Sequence, residues 1–296
     1  MTLFSKGNRV CHVVHCRTEK EENRDARDER RSCLETIVNW GFIYRINEST
    51  IFVTFFALML AVTEVGFRLG RKFEPNNPEK TKSLVATIVA AMLAILGLLL
   101  GFTMSMAVTR FEARKQLVLD EANAIETSRL RTELLPAPEG TEIASILREY
   151  INVRVQYGTA GTDPTRLGDL RTQTFHLQEE FWERAVAYGQ KDPNPVRAGL
   201  LLQSLNQSID LESARRMAFQ NHVPESVIYV NGIVGILAAV LVGYAFGLNL
   251  RRQVFSMWVL ALAITLVLVL IIDLDRPRGG FIRVSQQPMI DLQHGP

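Results

Sequence analysis

Four long apolar runs constrain this chain more than anything else in its sequence. Leu84–Val108 runs 25 residues without a charge, Val227–Leu248 runs 22 and Val254–Ile272 runs 19. Thr50–Phe67 adds 18 residues with one ionisable side chain, Glu64. A bilayer's hydrocarbon core is about 30 Å thick, so about 20 apolar helical residues cross it. Lipid offers no partner for a backbone N–H or C=O, which makes each run a helix. The expected fold class is therefore all-α. The reading is a polytopic membrane protein with four transmembrane helices and a helical cytoplasmic domain inserted between helices two and three.

These runs divide the chain into a polar N-terminal extension (1–49), helices one and two (50–108), a middle domain (109–226), helices three and four (227–272) and a C-terminal elbow and tail (273–296). The extension carries the mixed-charge stretch RTEKEENRDARDERR and no apolar core of a secretory signal before Trp40. Such a stretch buries too little apolar surface to fold, so 1–33 is expected to be disordered. All three cysteines, Cys11, Cys16 and Cys33, lie in it. CHVVHC offers thiol and imidazole ligands, but four ligands within six residues hardly wrap one tetrahedral ion. No metal site and no cofactor is expected.

An even number of spans puts both termini and the middle domain on one side. Eleven Lys/Arg flank the spans there, within 20 residues, against seven in the loops 68–83 and 249–253. The positive-inside bias then makes the middle domain and both termini cytoplasmic, in a cell membrane. The middle domain has 14 Lys/Arg and 17 Asp/Glu, which gives nucleic acid no electrostatic handle.

Within 109–226 the apolar spacing is helical throughout. Thr109–Leu135 continues the second span. Thr141–Tyr157 places Ile143, Ile146, Leu147, Tyr150 and Ile151 on one face, and Leu170–Tyr188 does the same with Leu177, Phe181, Trp182 and Ala185. Asn194 followed by Pro195 reads as an N-cap and first helical residue, opening a helix to about His222 before Val223-Pro224. The carboxylates of DEANAIE (Asp120, Glu121, Glu126) read as a hydrated helix face.

The spans carry stripes of small residues. Ala86, Ala90, Ala94, Gly97, Gly101 and Ser105 recur every three or four positions in the second, and Gly235, Ala239, Gly243 and Gly247 every four in the third. Such stripes let helix backbones approach in lipid, within or between subunits. Glu64 is expected to pair with Arg68 one turn on, and Asn231 to hydrogen-bond a neighbouring helix. No nucleophile motif, metalloprotease motif, phosphate loop or dinucleotide fingerprint is present, so no catalytic residue is assigned and no enzyme is expected.

LGLLLGFTMSMAVTRFEARKQLVLDEANAI, at the end of the second span, resembles the bestrophin family of ion channels through Gly101, Phe102, Arg110, Phe111 and Asn123. Asp273, Leu274, Asp275, Arg276, Pro277, Arg278 and Gly279 resemble the acidic–apolar–acidic–x–Pro–x–Gly exit from that family's last span, and Pro288-Met289 also fits. ANAI…LP, LLQSLNQSID and IIDLDRP…VSQQP look most like the bestrophin-like membrane proteins of bacteria.

The resemblance implies a lipid-embedded homo-oligomer, a pentamer, that passes inorganic ions. Its second span would line a hydrophobic neck at Ala94, Leu98 and Phe102; ordinary lipid-facing or core packing is the other reading of these three. Ala94 is smaller than the family's usual bulky residue. Calcium-gated members have an acidic run after the elbow, and GFIRVSQQP stands there instead, so calcium gating is not expected. Asp273, Asp275, Arg276, Pro277 and Gly279 are expected to form a structural elbow, with the carboxylates beside Arg276, Arg278 and Arg110. The alternative function is a non-conducting membrane scaffold or sensor that binds a cytoplasmic partner through its helical domain.

Overall fold

The computed structural model describes residues 47–72, 78–192, 194–249 and 253–294. The N-terminal cysteines and CHVVHC lie outside the described residues. Eight helices and no strand occur among those described: α1 Glu48–Lys72, α2 Pro78–Thr132, α3 Glu139–Thr159, α4 Pro164–Lys191, α5 Pro195–Gln220, α6 Glu225–Leu248, α7 Val254–Asp275 and α8 Gln287–His294. The four apolar runs lie in α1, in the first half of α2, in α6 and in α7, and all four are long and apolar enough to cross a membrane.

The rod of the fold is α2, 55 residues without interruption. At about 1.5 Å per residue it is ~80 Å long, so more than half of it extends beyond a bilayer core of about 30 Å. One end of this helix packs on α6 and α7, and the other on α5, α3 and α8.

In the apolar half, α1 lies along α6. Their contact is backbone on backbone. A Cβ added at Gly243 would collide with the Thr63 carbonyl, one at Gly247 with that of Phe67, one at Gly66 with that of Val240 and one at Gly70 with that of Tyr244. Two glycine pairs four residues apart thus interlock, each supplying the groove into which the other backbone fits. Gly66 and Gly70 show the same spacing in the sequence as Gly243 and Gly247, and they complete the pair. Gly235 meets side chains only, with the tip of Met59 3.2 Å and Ile264 Cγ2 3.6 Å from an added Cβ. Gly97 and Gly101 have nothing within 4 Å.

Polar groups in this half are tied locally. Asn231 donates to Thr103 Oγ1 at 2.8 Å, joining α6 to α2, and Arg68 donates to Glu64 at 3.0 Å on α1.

The other half is a helical bundle with its own core. Ile143, Ile146, Leu147, Tyr150 and Ile151 of α3 are buried, as are Leu177, Phe181 and Ala185 of α4, while Trp182 is half-buried. Tyr150 and Phe181 meet edge to face with centroids 5.6 Å apart. Val118, Ala122 and Ile125 of α2, Leu201 and Leu205 of α5 and Met289 of α8 close the same core.

Helix starts follow local chemistry. Asp163 accepts from Thr165 N at 3.0 Å with Pro164 behind it, and Asn194 accepts from Val196 N at 3.1 Å with Pro195 in the first turn. Helix α5 ends at Gln220, two residues short of the expected His222. The Val223 N–H is donated to Asp275 Oδ2 at 2.9 Å instead of continuing a helix.

Gly243→Ala is expected to lower protomer stability by about 1–3 kcal/mol, because backbone cannot yield to the methyl group. Gly97→Ala is expected to cost the protomer nothing, since its surroundings are open. Thermal unfolding of the detergent-solubilised variants measures both.

Candidate functional site

Two features carry the residues that the sequence singles out: the outer face of α2 and the elbow after α7. On α2 the inward side is closed, with Leu96, Leu100, Thr103 and Ala107 buried against the neighbouring helices. Ala94, Leu98 and Phe102 lie one turn apart on the opposite side and are exposed, Leu98 by 59% and Phe102 by 67%. Residues four apart drift by only about 40° around a helix, so the three share a face. Gly97 and Gly101 lie on its flank. None of these five residues is spent on holding the protomer together.

The elbow is built around two carboxylates with different tasks. Pro277 disfavours helix at Arg276, which is extended (φ −77°, ψ 116°), and α7 stops at Asp275. Asp273 then turns the chain back on itself: its Oδ1 accepts from Phe281 N at 2.8 Å and its Oδ2 from Ile282 N at 3.0 Å. The glycine this turn needs sterically is Gly280, where a Cβ would collide with Asp273 Oδ1; a Cβ at Gly279 would only touch Thr162 Cγ2 at 3.8 Å.

Asp275 is fully buried and is held by Arg114, itself 1% exposed, with Nη2 3.4 Å from Oδ1. The same guanidinium donates to Ala218 O at 3.1 Å, Asn221 O at 2.9 Å and Asp275 O at 3.0 Å. A cation from the middle of α2 therefore satisfies carbonyls at the C-terminal ends of α5 and α7 together.

Arg276, Arg278 and Arg110 are the arginines expected beside the acidic pair, and the structure pairs Asp275 with Arg114 instead. Arg110 bonds Asn221 Oδ1 at 2.8 Å and the His222 carbonyl, while Arg114, one turn further on, takes Asp275. Arg276 reaches Glu48 at the start of α1, 3.5 Å away. Arg278 is wedged between aromatic rings, with its guanidinium carbon 4.5 Å from the Tyr157 centroid and 4.7 Å from that of Phe219, and donates to Tyr157 O at 2.7 Å. Burial, with Arg215 and Arg154 nearby, holds Arg278 below the ordinary guanidinium value.

A second correction concerns DEANAIE. Glu121 is fully buried rather than hydrated. It accepts from Arg154 Nε at 2.6 Å and Nη2 at 3.2 Å and from Arg215 Nη1 at 2.6 Å, tying α2 to α3 and α5. Glu212 stands 3.5 Å from Arg154, and Arg215 also donates to Gln286 in the returning C-terminal segment. Burial alone would push the charge off Arg154, but Glu121 more than offsets it and holds the guanidinium above its ordinary value. Burial likewise pushes the Tyr150 hydroxyl up, and it stays neutral as an acceptor for Gln178 Nε2 at 3.1 Å.

A sequence signal for this inward placement exists: Arg114, Val118, Ala122 and Ile125 recur at helical spacing, and Glu121 falls beside that line. Among the described residues no group of three or more His, Cys, Asp or Glu is placed to hold a metal ion. The elbow is a set of charge locks, and the outer face of α2 is left unpacked by the protomer.

A chain with four membrane-length apolar helices and a helical bundle inserted in their sequence order is an all-helical polytopic membrane protein. The profile of the Bestrophin-like domain matches residues 57–289, and the chain belongs to the Bestrophin-like family. Among solved structures it is similar to variants of a bacterial bestrophin homolog from Klebsiella pneumoniae. One is 15% identical with a TM-score of 0.57, covering 82% of this chain and 99% of that one. Another is 15% identical with a TM-score of 0.60 over the same shares of both chains. A third, also 15% identical, has a TM-score of 0.59 and covers 82% and 96%. At such identity the likeness is one of fold. A comparison with curated proteins gives no match.

Glu121→Gln is expected to destabilise the bundle by about 3–5 kcal/mol, because it leaves two buried guanidiniums short of their counter-charge. Glu126→Gln, which removes only a partly exposed pair with Arg129, is expected to cost less than about 1 kcal/mol. Denaturation of the two variants side by side separates a buried lock from a surface ion pair.

Proposed function

We propose that this chain is one subunit of a homo-oligomeric ion channel, with α2 lining the pathway and Ala94, Leu98 and Phe102 forming a hydrophobic neck. The observation that carries this reading is the orientation of those three side chains. They stand in line on the exposed side of a span whose opposite edge packs at Leu96, Leu100, Thr103 and Ala107, so copies arranged around an axis would bring them face to face. A ring of apolar side chains closes a narrow pore by excluding water, and it opens when the ring widens or becomes polar. The family and the fold of the Klebsiella pneumoniae homolog support the same arrangement, and a pentamer is the assembly proposed.

In this reading the bundle of 109–226 and both termini face the cytoplasm of a cell with the protein in its plasma membrane, and inorganic ions are what it passes. The small Ala94 leaves Leu98 and Phe102 as the tighter rings.

The elbow serves assembly rather than gating. Asp273 and Asp275 already receive the Phe281 and Ile282 amides, the Val223 amide and the Arg114 guanidinium, which supports a channel without calcium control. A calcium cage would need six to eight oxygens that are free to turn toward the ion.

Purified full-length protein in planar bilayers is expected to show unitary currents that calcium chelation leaves unchanged, and Phe102→Ala is expected to raise the unitary conductance. Silence of both proteins, with the oligomer intact, would overturn the channel. Asp273→Asn is expected to weaken the oligomer, read as a loss of mass in detergent, while any remaining current keeps its ion preference.

A further inference from the structure

Beyond the neck, the exposed line on α2 does not stop. Ser105, Thr109, Glu112, Gln116, Asp120 and Asn123 continue from Phe102 at spacings of three and four, and all but the half-buried Asp120 are exposed. Those spacings keep them on the face that holds Ala94, Leu98 and Phe102, because the helix runs unbroken from Pro78 to Thr132. The line changes character as it leaves the apolar run, passing from hydrocarbon to hydroxyls, carboxylates and amides. Gln116 donates to Asp120 Oδ1 at 2.8 Å, which holds two of these groups along the line.

Beyond the neck, from Arg110 onward, the basic residues of the same helix are placed differently. Arg110 is bonded to Asn221 and His222, Arg114 is buried against Asp275, Arg129 pairs with Glu126 at 2.7 Å, and Arg131 donates to Leu200 O. Each is used by its own protomer. Lys115 alone stays exposed beside the line, 3.6 Å from Glu112. The outer face after the neck therefore offers two carboxylates, hydroxyls and amides, with one flanking ammonium as the opposing charge.

We propose that Glu112 and Asp120 are the ion-selecting residues of the stretch that follows the neck, and that the ions they favour are small inorganic cations. The inference rests on the reading that α2 lines the pathway. Symmetry then repeats each carboxylate once per subunit, so two side chains become two acidic rings, the arrangement that favours cations over anions in a pore. Lys115 is repeated as well, so each subunit contributes two carboxylates against one ammonium and the stretch keeps a net negative charge. Lipid does not cover this line, because carboxylates and amides there would lose their water without gaining partners.

Reversal potentials in a KCl gradient across a planar bilayer test the proposal on the full-length oligomer. Wild-type current is expected to reverse near the potassium equilibrium potential. Glu112→Gln with Asp120→Asn is expected to shift the reversal toward zero, each single variant about part of the way, and Lys115→Gln to leave it at or closer to the potassium value. Glu133→Gln removes an exposed charge just beyond the end of α2, away from the Ser105–Asn123 stretch, and is expected to change nothing.

A wild-type current reversing at the chloride potential overturns the proposal, as does a charge-removed variant that reverses with the wild type. The neck reading is judged separately by conductance: Phe102→Ala leaving conductance unchanged in a conducting, cation-selective protein would remove the neck and leave the acidic stretch standing. Absence of current from an intact wild-type oligomer removes both.

Discussion

A single buried guanidinium holds the two halves of this molecule in register. Arg114 sits in the middle of α2, where the helix passes from apolar to polar surroundings, and it binds the carbonyl ends of α5 and α7 together with the Asp275 carboxylate. Helix ends leave carbonyls without partners, and a buried charge needs hydrogen bonds on every side. Each need meets the other here. The Arg114 side chain, together with Arg110 on Asn221 and His222, ties the break between α5 and α6 and the end of α7 to α2. Everything beyond that point, including the Asp273 turn and the returning α8, is positioned by where α7 is made to stop.

On either side of this joint cohesion has a different physical source. In the apolar half there is no hydrophobic drive between helices, so contact depends on how closely backbones approach. Gly66 and Gly70 against Gly243 and Gly247 supply that approach. In the bundle, burial of Tyr150, Phe181, Leu147 and their neighbours removes apolar surface from water, and Glu121 with Arg154 and Arg215 fixes which helices meet. The unbroken α2 belongs to both halves, and a displacement of its membrane segment would be carried directly into the bundle.

What the protomer leaves unsatisfied is as informative as what it packs. Leu98 and Phe102 stay exposed on a helix whose other side is closed, and the same line runs on as Glu112 and Gln116. A surface that changes from apolar to acidic along one helix has no role in folding this chain alone. In the proposed assembly, identical copies would convert these single side chains into rings.

Much of this was legible in the residues themselves. Uncharged runs of about 20 residues dictate membrane helices because the backbone has no other partner in lipid. Pro164 and Pro195 behind Asp163 and Asn194 mark helix starts, and Pro277 marks the end of α7, because proline fixes its own dihedral and restricts its predecessor. Helical spacing placed Ile143, Leu147 and Tyr150 inward and set Ala94, Leu98 and Phe102 on one face. Which charges would be buried was legible only as a position beside an apolar line, and their partners were not. Glu121 looks like any hydrated carboxylate until Arg154 and Arg215 arrive from 33 and 94 residues away, and Arg110 and Arg114 differ only by one turn of helix. Local sequence determined the helices, their limits and their apolar faces, because those depend on neighbours within a few residues. Only the tertiary structure decided which arginine meets which carboxylate, because a buried ion pair exists only where packing brings both partners out of water together.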